Sequence, residues 1–461
     1  MKPKKYIVKK RGKFWPSREM KKIAWVSDKK LYKKAAKNPV KFWEYLAENG
    51  LHWEKKWTTA YEEKLPYFKW FKDGKINFSI NCLDRHIKDK GNANKIALIW
   101  VPEPIKEKPI RLTYKELYEK VNQFANVLKK LGAKKGNVIS IYLPLLPEAL
   151  IAMLACTRIG AIHSVVFSAF SADALKARIQ DGKSKILITA DGYYRRGKKE
   201  DLTKKVKQAV KGTTIQKIIV VPRLGEKISG KKYLNFEKEI IKQEKYCEPT
   251  IVNSEDTMFI LYTSGTTGKP KGVIHDTGGY ATQAYWTTKW NFNLHNDDIM
   301  WCTADIGWIT GHTYAFYGPL LNGSTTLIYE GSPDTPTPDR WWQIIEQNNV
   351  TVLYTAPTAI RMFMKLGDKW LEKYKFPSLK ILGTVGEPID EDAWGWYLEK
   401  IGKSRCPIID TWWQTETGGT LINALPGIGP FIPTVAGRSF PGTHHIIVDE
   451  KGKPVEKNKK G

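Results

Sequence analysis

Cysteine is scarce and scattered. Five occur in 461 residues (Cys82, Cys156, Cys247, Cys302 and Cys406), and none is spaced as Cys-x-x-Cys. An odd, dispersed set argues against a disulfide framework or a thiolate zinc site and points to reduced thiols inside a cell. Long apolar runs are missing too. Nothing approaches the roughly 20 residues that a membrane-crossing helix needs, and the N-terminus has no apolar signal core. The lysine-rich start, Met1 to Arg18, contains few serines, so a solvated basic tail is expected there, not a transit peptide. The expectation is a cytoplasmic protein with no membrane partner. Acidic residues are outnumbered, 47 against 75 Lys and Arg, which leaves a net charge of +28. Such an excess raises nucleic acid as a partner. The lysines are nevertheless spread along the chain in pairs such as Lys129-Lys130, Lys134-Lys135 and Lys198-Lys199, with no recognisable nucleic-acid module. Solvated helix faces and an anionic substrate account for them, and no specific nucleic-acid partner is expected.

A chain of 461 residues exceeds what one core usually holds, about 250–300 residues, so at least two subdomains are expected. Residues 1–95 read as an N-terminal lobe rich in aromatic and basic residues. From Lys95 the pattern alternates. Thr113 and Glu116 make a capping box, and Leu117, Val121, Phe124, Leu128 and Leu131 follow at helical spacing before Gly132. Strands are expected at 138–143, 163–167, 185–189 and 218–221, with helices from Pro147 and over 172–180. Such βαβ units imply an α/β fold of parallel sheets, with ligands at the carboxyl ends of the strands.

The most informative segment begins with the apolar run 257–261, a buried strand. It opens into Tyr262-Thr263-Ser264-Gly265-Thr266-Thr267-Gly268-Lys269-Pro270-Lys271-Gly272. Glycines let the backbone approach phosphates, while N–H groups, hydroxyls and lysines supply donors and positive charge. It is not a Walker A loop: the glycines are too close together, and no Ser or Thr follows Lys269. Three further motifs follow: Asp410-Thr411-Trp412-Trp413-Gln414-Thr415-Glu416-Thr417-Gly418-Gly419 after the strand-like 407–409, Thr384-Val385-Gly386-Glu387-Pro388 after 380–382, and Asp305 to His312. Thr415 offers a hydroxyl donor and Glu416 a hard carboxylate, which suit a phosphate and its Mg²⁺. Gly386-Glu387-Pro388 is a turn whose backbone can face a flat purine.

The loop resembles the signature of the adenylate-forming enzymes, and the four motifs together resemble the AMP-forming acetyl-CoA synthetases. The likeness extends to 51–57, Phe68-Lys69-Trp70-Phe71, 81–86, Phe170-Ser171 and Asp191 to Lys198, and covers roughly residues 38–461. It implies the large N-terminal domain of the acyl-CoA synthetase/luciferase-like fold, with βαβ parallel sheets and a smaller β region. A basic tail would occupy 1–37, the family's N-terminal lobe 38–95, and the AMP-binding core 96–461, incomplete at its C-terminal end.

The resemblance also implies roles. Gly386, Glu387, Pro388 and Asp410 through Thr415 would line the ATP/AMP site, and Glu416 would hold Mg²⁺. The loop from Thr263 through Ser264, Gly265, Thr266, Thr267, Gly268 and Lys269 to Lys271 would close over the β- and γ-phosphates. Thr263, Lys271, Thr415 and Glu416 are the expected catalytic groups. Arg195, Arg196, Gly197 and Lys198 would meet the nucleotide end of CoA, with Thr310 on its path. Asp334 stands where the family carries asparagine, so that CoA contact departs from the pattern. Trp413, with Ile309, Thr310 and Val385, would wall a pocket for acetate, with propionate as the near competitor. His275 and His312 are read as structural, since a carboxylate substrate needs no base.

The family pattern continues beyond Gly461 with a Thr-Gly-Asp segment, a hinge and a small C-terminal domain. The expectation is therefore an acetate–CoA ligase sequence cut short, in which residues 1–461 alone make little acetyl-CoA. Propionate–CoA ligase and a non-catalytic nucleotide-binding remnant are the alternatives.

Overall fold

Thr113 and Glu116 close the capping box that their spacing predicts. The Thr113 hydroxyl accepts the Glu116 amide at 3.1 Å, and the Glu116 carboxylate accepts the Thr113 amide at 2.8 Å. Each bond satisfies an N–H group that a helix start leaves open. The helix that follows, Tyr114–Lys130, buries Leu117, Val121, Phe124 and Leu128. The computed structural model describes residues 3–88, 91–226, 230–263, 270–457 and 459–460.

Two large sheets organise the chain. In the seven-stranded sheet the spatial order is Tyr233–Asn235, Lys217–Val221, Ile186–Ala190, Val138–Tyr142, Ile162–Val165, Thr257–Thr263 and Lys271–Asp276. All neighbours are parallel except the last pair. The nine-stranded sheet runs Arg438–Ser439, Ile422–Asn423, Ile408–Trp412, Ile381–Thr384, Val352–Thr355, Ile299–Cys302, Thr325–Tyr329, Ile96–Val101 and Ile110–Thr113. Its strands from Ile408–Trp412 to Ile96–Val101 are parallel, and its edges are antiparallel. Ile186–Ala190 is buried throughout and apolar but for Thr189, as a parallel strand covered on both faces requires. The expected α/β architecture is present. Small antiparallel pairs, such as Thr59–Lys64 with Tyr67–Lys72, lie outside the two sheets. No described helix is long and apolar enough to cross a membrane.

One local expectation is corrected. Residues expected to be a solvated basic tail form the hairpin Ile7–Lys10 with Lys13–Pro16, and the helix Arg18–Ile23 follows. Tyr6, Ile7 and Met20 are buried, and Phe14 exchanges both backbone hydrogen bonds with Phe431. The lysine excess had hidden an alternation in which apolar side chains turn inward and Lys9, Lys10 and Arg11 stay exposed. The glycine-rich segment after Tyr262 joins the antiparallel strands Thr257–Thr263 and Lys271–Asp276, whose last pair is Thr263 with Lys271.

The N-terminal lobe is fastened to the core by a buried ion pair. Arg158, at the end of the helix Pro147–Arg158, is fully buried and donates to both carboxylate oxygens of Asp84 at 2.9 and 3.2 Å. Its Nε donates to the Cys247 carbonyl at 2.7 Å. Removing one partner of such a pair strands the other charge. Arg158→Ala is therefore expected to lower the unfolding free energy by about 3–5 kcal/mol, read from the urea midpoint, and a loss below about 1 kcal/mol would contradict this.

Candidate active site

The parallel strands of both sheets aim their carboxyl ends at one cavity of about 1070 Å³. From the seven-stranded sheet come Pro144, Leu145, Phe167 and Ser168. From the nine-stranded sheet come Thr303, Glu330, Thr355, Val385 and Trp413, each just beyond or at the end of its strand. This is where open parallel sheets bind ligands, because the connections diverge there and leave a crevice.

Ile309, Thr310, Val385 and Trp413 share the cavity wall with Gly386, Gln414, Thr415 and Arg195. Trp413 stands edge-on to Tyr314, with ring centroids 5.2 Å apart at 89°, and its indole N–H lies 3.4 Å from the Tyr354 hydroxyl. Gly386 has φ +97°, a backbone that a side chain would strain, and it presents bare peptide to the cavity.

Other expected nucleotide residues stand behind or outside the wall. Asp410 is buried, accepts the Thr384 hydroxyl at 2.8 Å and the Thr411 amide at 3.0 Å, and has its pKa raised by burial. Thr411 donates its hydroxyl to the Thr384 carbonyl and meets Tyr354. Trp412 faces away and meets His445 edge-on. Glu387 is engaged by the Thr358 amide and hydroxyl and by Arg361, whose contact is 2.6 Å; the Thr358 hydroxyl leads in holding its pKa low. Pro388 and Glu416 are exposed, and Glu416 carries no side-chain hydrogen bond or ion pair among the described residues. Thr263 and Lys271 pair at the mouth of the loop hairpin, while Ser264, Gly265, Thr266, Thr267, Gly268 and Lys269 lie outside the described residues.

The basic segment Arg195-Arg196-Gly197-Lys198 occupies a separate hairpin, Gly192–Arg195 with Lys198–Asp201. A Cβ at Gly192 would stand 2.3 Å from the Glu200 carbonyl oxygen, so glycine is what allows this tight pairing. Arg195 reaches the cavity, whereas Arg196, Gly197 and Lys198 form the exposed turn. Asp334 approaches Arg196 at 3.7 Å. Inside the cavity Asp305 accepts the Gly307 amide at 2.7 Å, and burial pushes its pKa up to about 6.

Residues 84–461 match the model of the AMP-binding enzymes, and residues 28–82 match that of the acetyl-coenzyme A synthetase N-terminus. An acetyl-coenzyme A synthetase from Gemmatimonas aurantiaca is 48% identical over 445 residues, 95% of this chain and 67% of that protein. The chain belongs to the acetyl-coenzyme A synthetase family of AMP-binding enzymes. The enzyme of the same name from Rubrobacter xylanophilus is 49% identical over 96% of this chain and 68% of its own length. That from Pyrobaculum aerophilum is 48% identical over 94% of this chain and 66% of its own. The chain thus spans about two thirds of the relatives it matches. Among solved structures, the acetoacetyl-CoA synthetase of Streptomyces lividans superposes with a TM-score of 0.85 at 23% identity, over 98% of this chain and 71% of that one. At that identity the likeness speaks for the fold.

Sequence reasoning within this acetyl-coenzyme A synthetase family frame missed several residues. Tyr354 braces both Trp413 and Thr411, yet in sequence it is one more apolar strand position. Glu103 and Glu330 end parallel strands in Val101-Pro102-Glu103-Pro104 and Tyr329-Glu330-Gly331. A carboxylate at such a strand end was the available signal.

His275 and His312 lie behind the cavity wall. His312 is buried and stacks on His163 at 5.4 Å. His275 Nε2 lies 2.8 Å from the Thr415 carbonyl, so Nε2–H donates, tying the loop hairpin to the Thr415 segment. Burial pushes its pKa down to about 4, against the opposing pull of Thr415 and Glu416. A folded pKa below the free value of 6.5 means that His275 contributes stability above pH 6.5, lost as pH falls toward about 4. At a pH of about 5.5, ¹⁵N-histidine NMR should show His275 neutral with its proton on Nε2; a protonated ring at that pH contradicts the assignment.

Proposed function

We propose that this chain forms the adenylating core of an acetate–CoA ligase. An acetate oxygen attacks the α-phosphorus of ATP, the bond to the bridging oxygen breaks, and pyrophosphate leaves with acetyl-adenylate remaining. In the whole protein the CoA thiolate then attacks the acetyl carbon and AMP departs. The first half needs no protein base, since acetate is already a nucleophile. The chain's contribution is orientation and charge.

The observation that carries the reading is the braced indole of Trp413. Held edge-on by Tyr314 and facing the Tyr354 hydroxyl, it cannot swing aside without losing both contacts. With Ile309, Thr310 and Val385 it would wall the acyl end of the cavity, where a ring favours a short acid such as acetate. The bare backbone of Gly386, with Gln414 and Thr415 alongside, suits the purine and the α-phosphate. Glu387, Pro388, Asp410, Thr411 and Trp412 shape this wall from behind and around it. Thr263, the loop and Lys271 supply donors for the β- and γ-phosphates.

Glu416 fits Mg²⁺: it is an exposed hard carboxylate without a protein partner. No group of three metal-ligating side chains occurs among the described residues, which suits an ion brought in on ATP phosphates and met by one carboxylate. Mg²⁺ would neutralise phosphate charge there. Arg195, Arg196, Gly197 and Lys198 take the anionic nucleotide end of CoA, and Thr310 lies on its path; Asp334, paired with Arg196, tempers that charge. All five cysteines are buried and unpaired, which supports a reducing compartment, and we assign the cytoplasm.

Acetate-dependent ATP–pyrophosphate exchange tests the reading. Exchange should be strongest with acetate and weaker with propionate, because one methylene in an apolar pocket is worth about 1–3 kcal/mol. Trp413→Gly should depress exchange with acetate about tenfold and raise it with butyrate. Absence of any carboxylate-dependent exchange, or equal rates for acetate and butyrate in the parent chain, sinks the proposal.

A further inference from the structure

Two carboxylates are buried beside the basic hairpin, Glu330 at the cavity wall and Glu103 behind it. Glu103 and Glu330 are 2% and 3% exposed. They follow Ile96–Val101 and Thr325–Tyr329, neighbouring parallel strands in which Val101 pairs with Tyr329. Burying two negative charges side by side is costly unless each is compensated. Among the described residues one partly buried cation serves them: Arg223 donates to Glu330 from Nε and Nη2, both at 2.8 Å. Nη2 also meets Glu107 at 2.8 Å.

Among the described residues Glu103 has no guanidinium partner. Its charge is met by backbone amides instead: Gly197 N–H to Oε1 at 2.8 Å, Arg196 N–H to Oε2 at 3.0 Å, and Ser332 N–H to Oε2 at 2.9 Å. Two of the three come from the turn of the basic hairpin, where Arg196 and Gly197 both have positive φ, +51° and +72°. Successive amides in such a turn converge on an anion. Glu330 completes the clamp by accepting the Tyr194 amide at 3.3 Å and the Glu103 amide at 3.2 Å. The Arg223 guanidinium lies over the Tyr194 ring, 4.6 Å from its centre.

The hairpin pairs with neither large sheet; buried Tyr193 and the Leu202 amide bonded to the Asp191 carbonyl hold its base, and these carboxylates hold its turn to the strand ends. They also order the charges. With the turn amides turned inward onto Glu103, the side chains of Arg195 and Lys198 are left to an outside anion.

We propose that Glu103 and Glu330 are positioning residues for CoA recognition: they set the Arg195–Lys198 turn at the cavity mouth by holding its backbone amides and the Tyr194 amide. The inference rests on the reading of that turn as the CoA nucleotide site. It predicts a defect confined to CoA. Glu103→Gln keeps the shape but places an NH₂ group against amides that already donate. Glu330→Gln leaves the three amide bonds to Glu103 in place and weakens the outer half of the clamp.

CoA and a fluorescent ATP analogue are titrated separately into the parent chain, both variants and Arg195→Ala, and hydrogen exchange is followed across 192–201. Glu103→Gln should weaken CoA binding about tenfold, as expected for loss of a charge-assisted hydrogen bond. Glu330→Gln should weaken it less. Glu103→Gln should leave ATP analogue binding within about twofold, and both variants should speed exchange at the turn amides. Unchanged CoA affinity in Glu103→Gln, with Arg195→Ala impaired, overturns the positioning role alone. Parallel loss of CoA and ATP binding overturns it too. If Arg195→Ala binds CoA like the parent, or the parent does not bind CoA, the CoA site itself is misassigned and the inference falls with it.

Discussion

Parallel strand pairing is the constraint on which everything else in this molecule hangs. Parallel neighbours need crossover connections, so their carboxyl ends all emerge on the same side of a sheet. Here two such sheets share a core, and both deliver their carboxyl ends to one cavity. Side chains far apart in sequence, such as Phe167, Thr310, Val385 and Trp413, become neighbours for that reason alone. The price is a set of polar groups at strand ends that must be satisfied in near-dry surroundings. Asp410 is held by Thr384 and Thr411, and Glu103 by three amides.

The buried charges divide into two kinds. Arg158 with Asp84 fastens the N-terminal lobe to the core, and its removal is a matter of stability. Glu103, Glu330 and Arg223 fasten one exposed hairpin, and their removal is a matter of binding. The geometry separates these roles: the first pair joins elements that stay buried, while the second aims a solvent-facing turn.

Much of this was legible in the sequence. The capping box at Thr113, the apolar strands before each motif and the order of the four motifs gave the α/β class and the family. Which motif residues face the cavity was less legible. Asp410, Trp412 and Trp413 stand in one short run, yet only Trp413 reaches the wall. Strand alternation and the partners Thr384, His445 and Tyr354 decide among them, and those partners come from other segments. The clamp at Glu103 was illegible for the same reason, since the amides it gathers lie 93, 94 and 229 residues away. The N-terminal hairpin escaped notice because lysines dominated its composition while its few apolar residues did the packing.

The central claim is that an acyl-adenylate lies across the carboxyl ends of both sheets with its acyl group against Trp413. A crystal structure of the chain with an alkyl ester of AMP tests this most directly. The account predicts the alkyl group beside Trp413 and Val385, the phosphate near Thr415, and the adenine along Gly386. An ester bound elsewhere, or one whose alkyl chain points away from the indole, would contradict it.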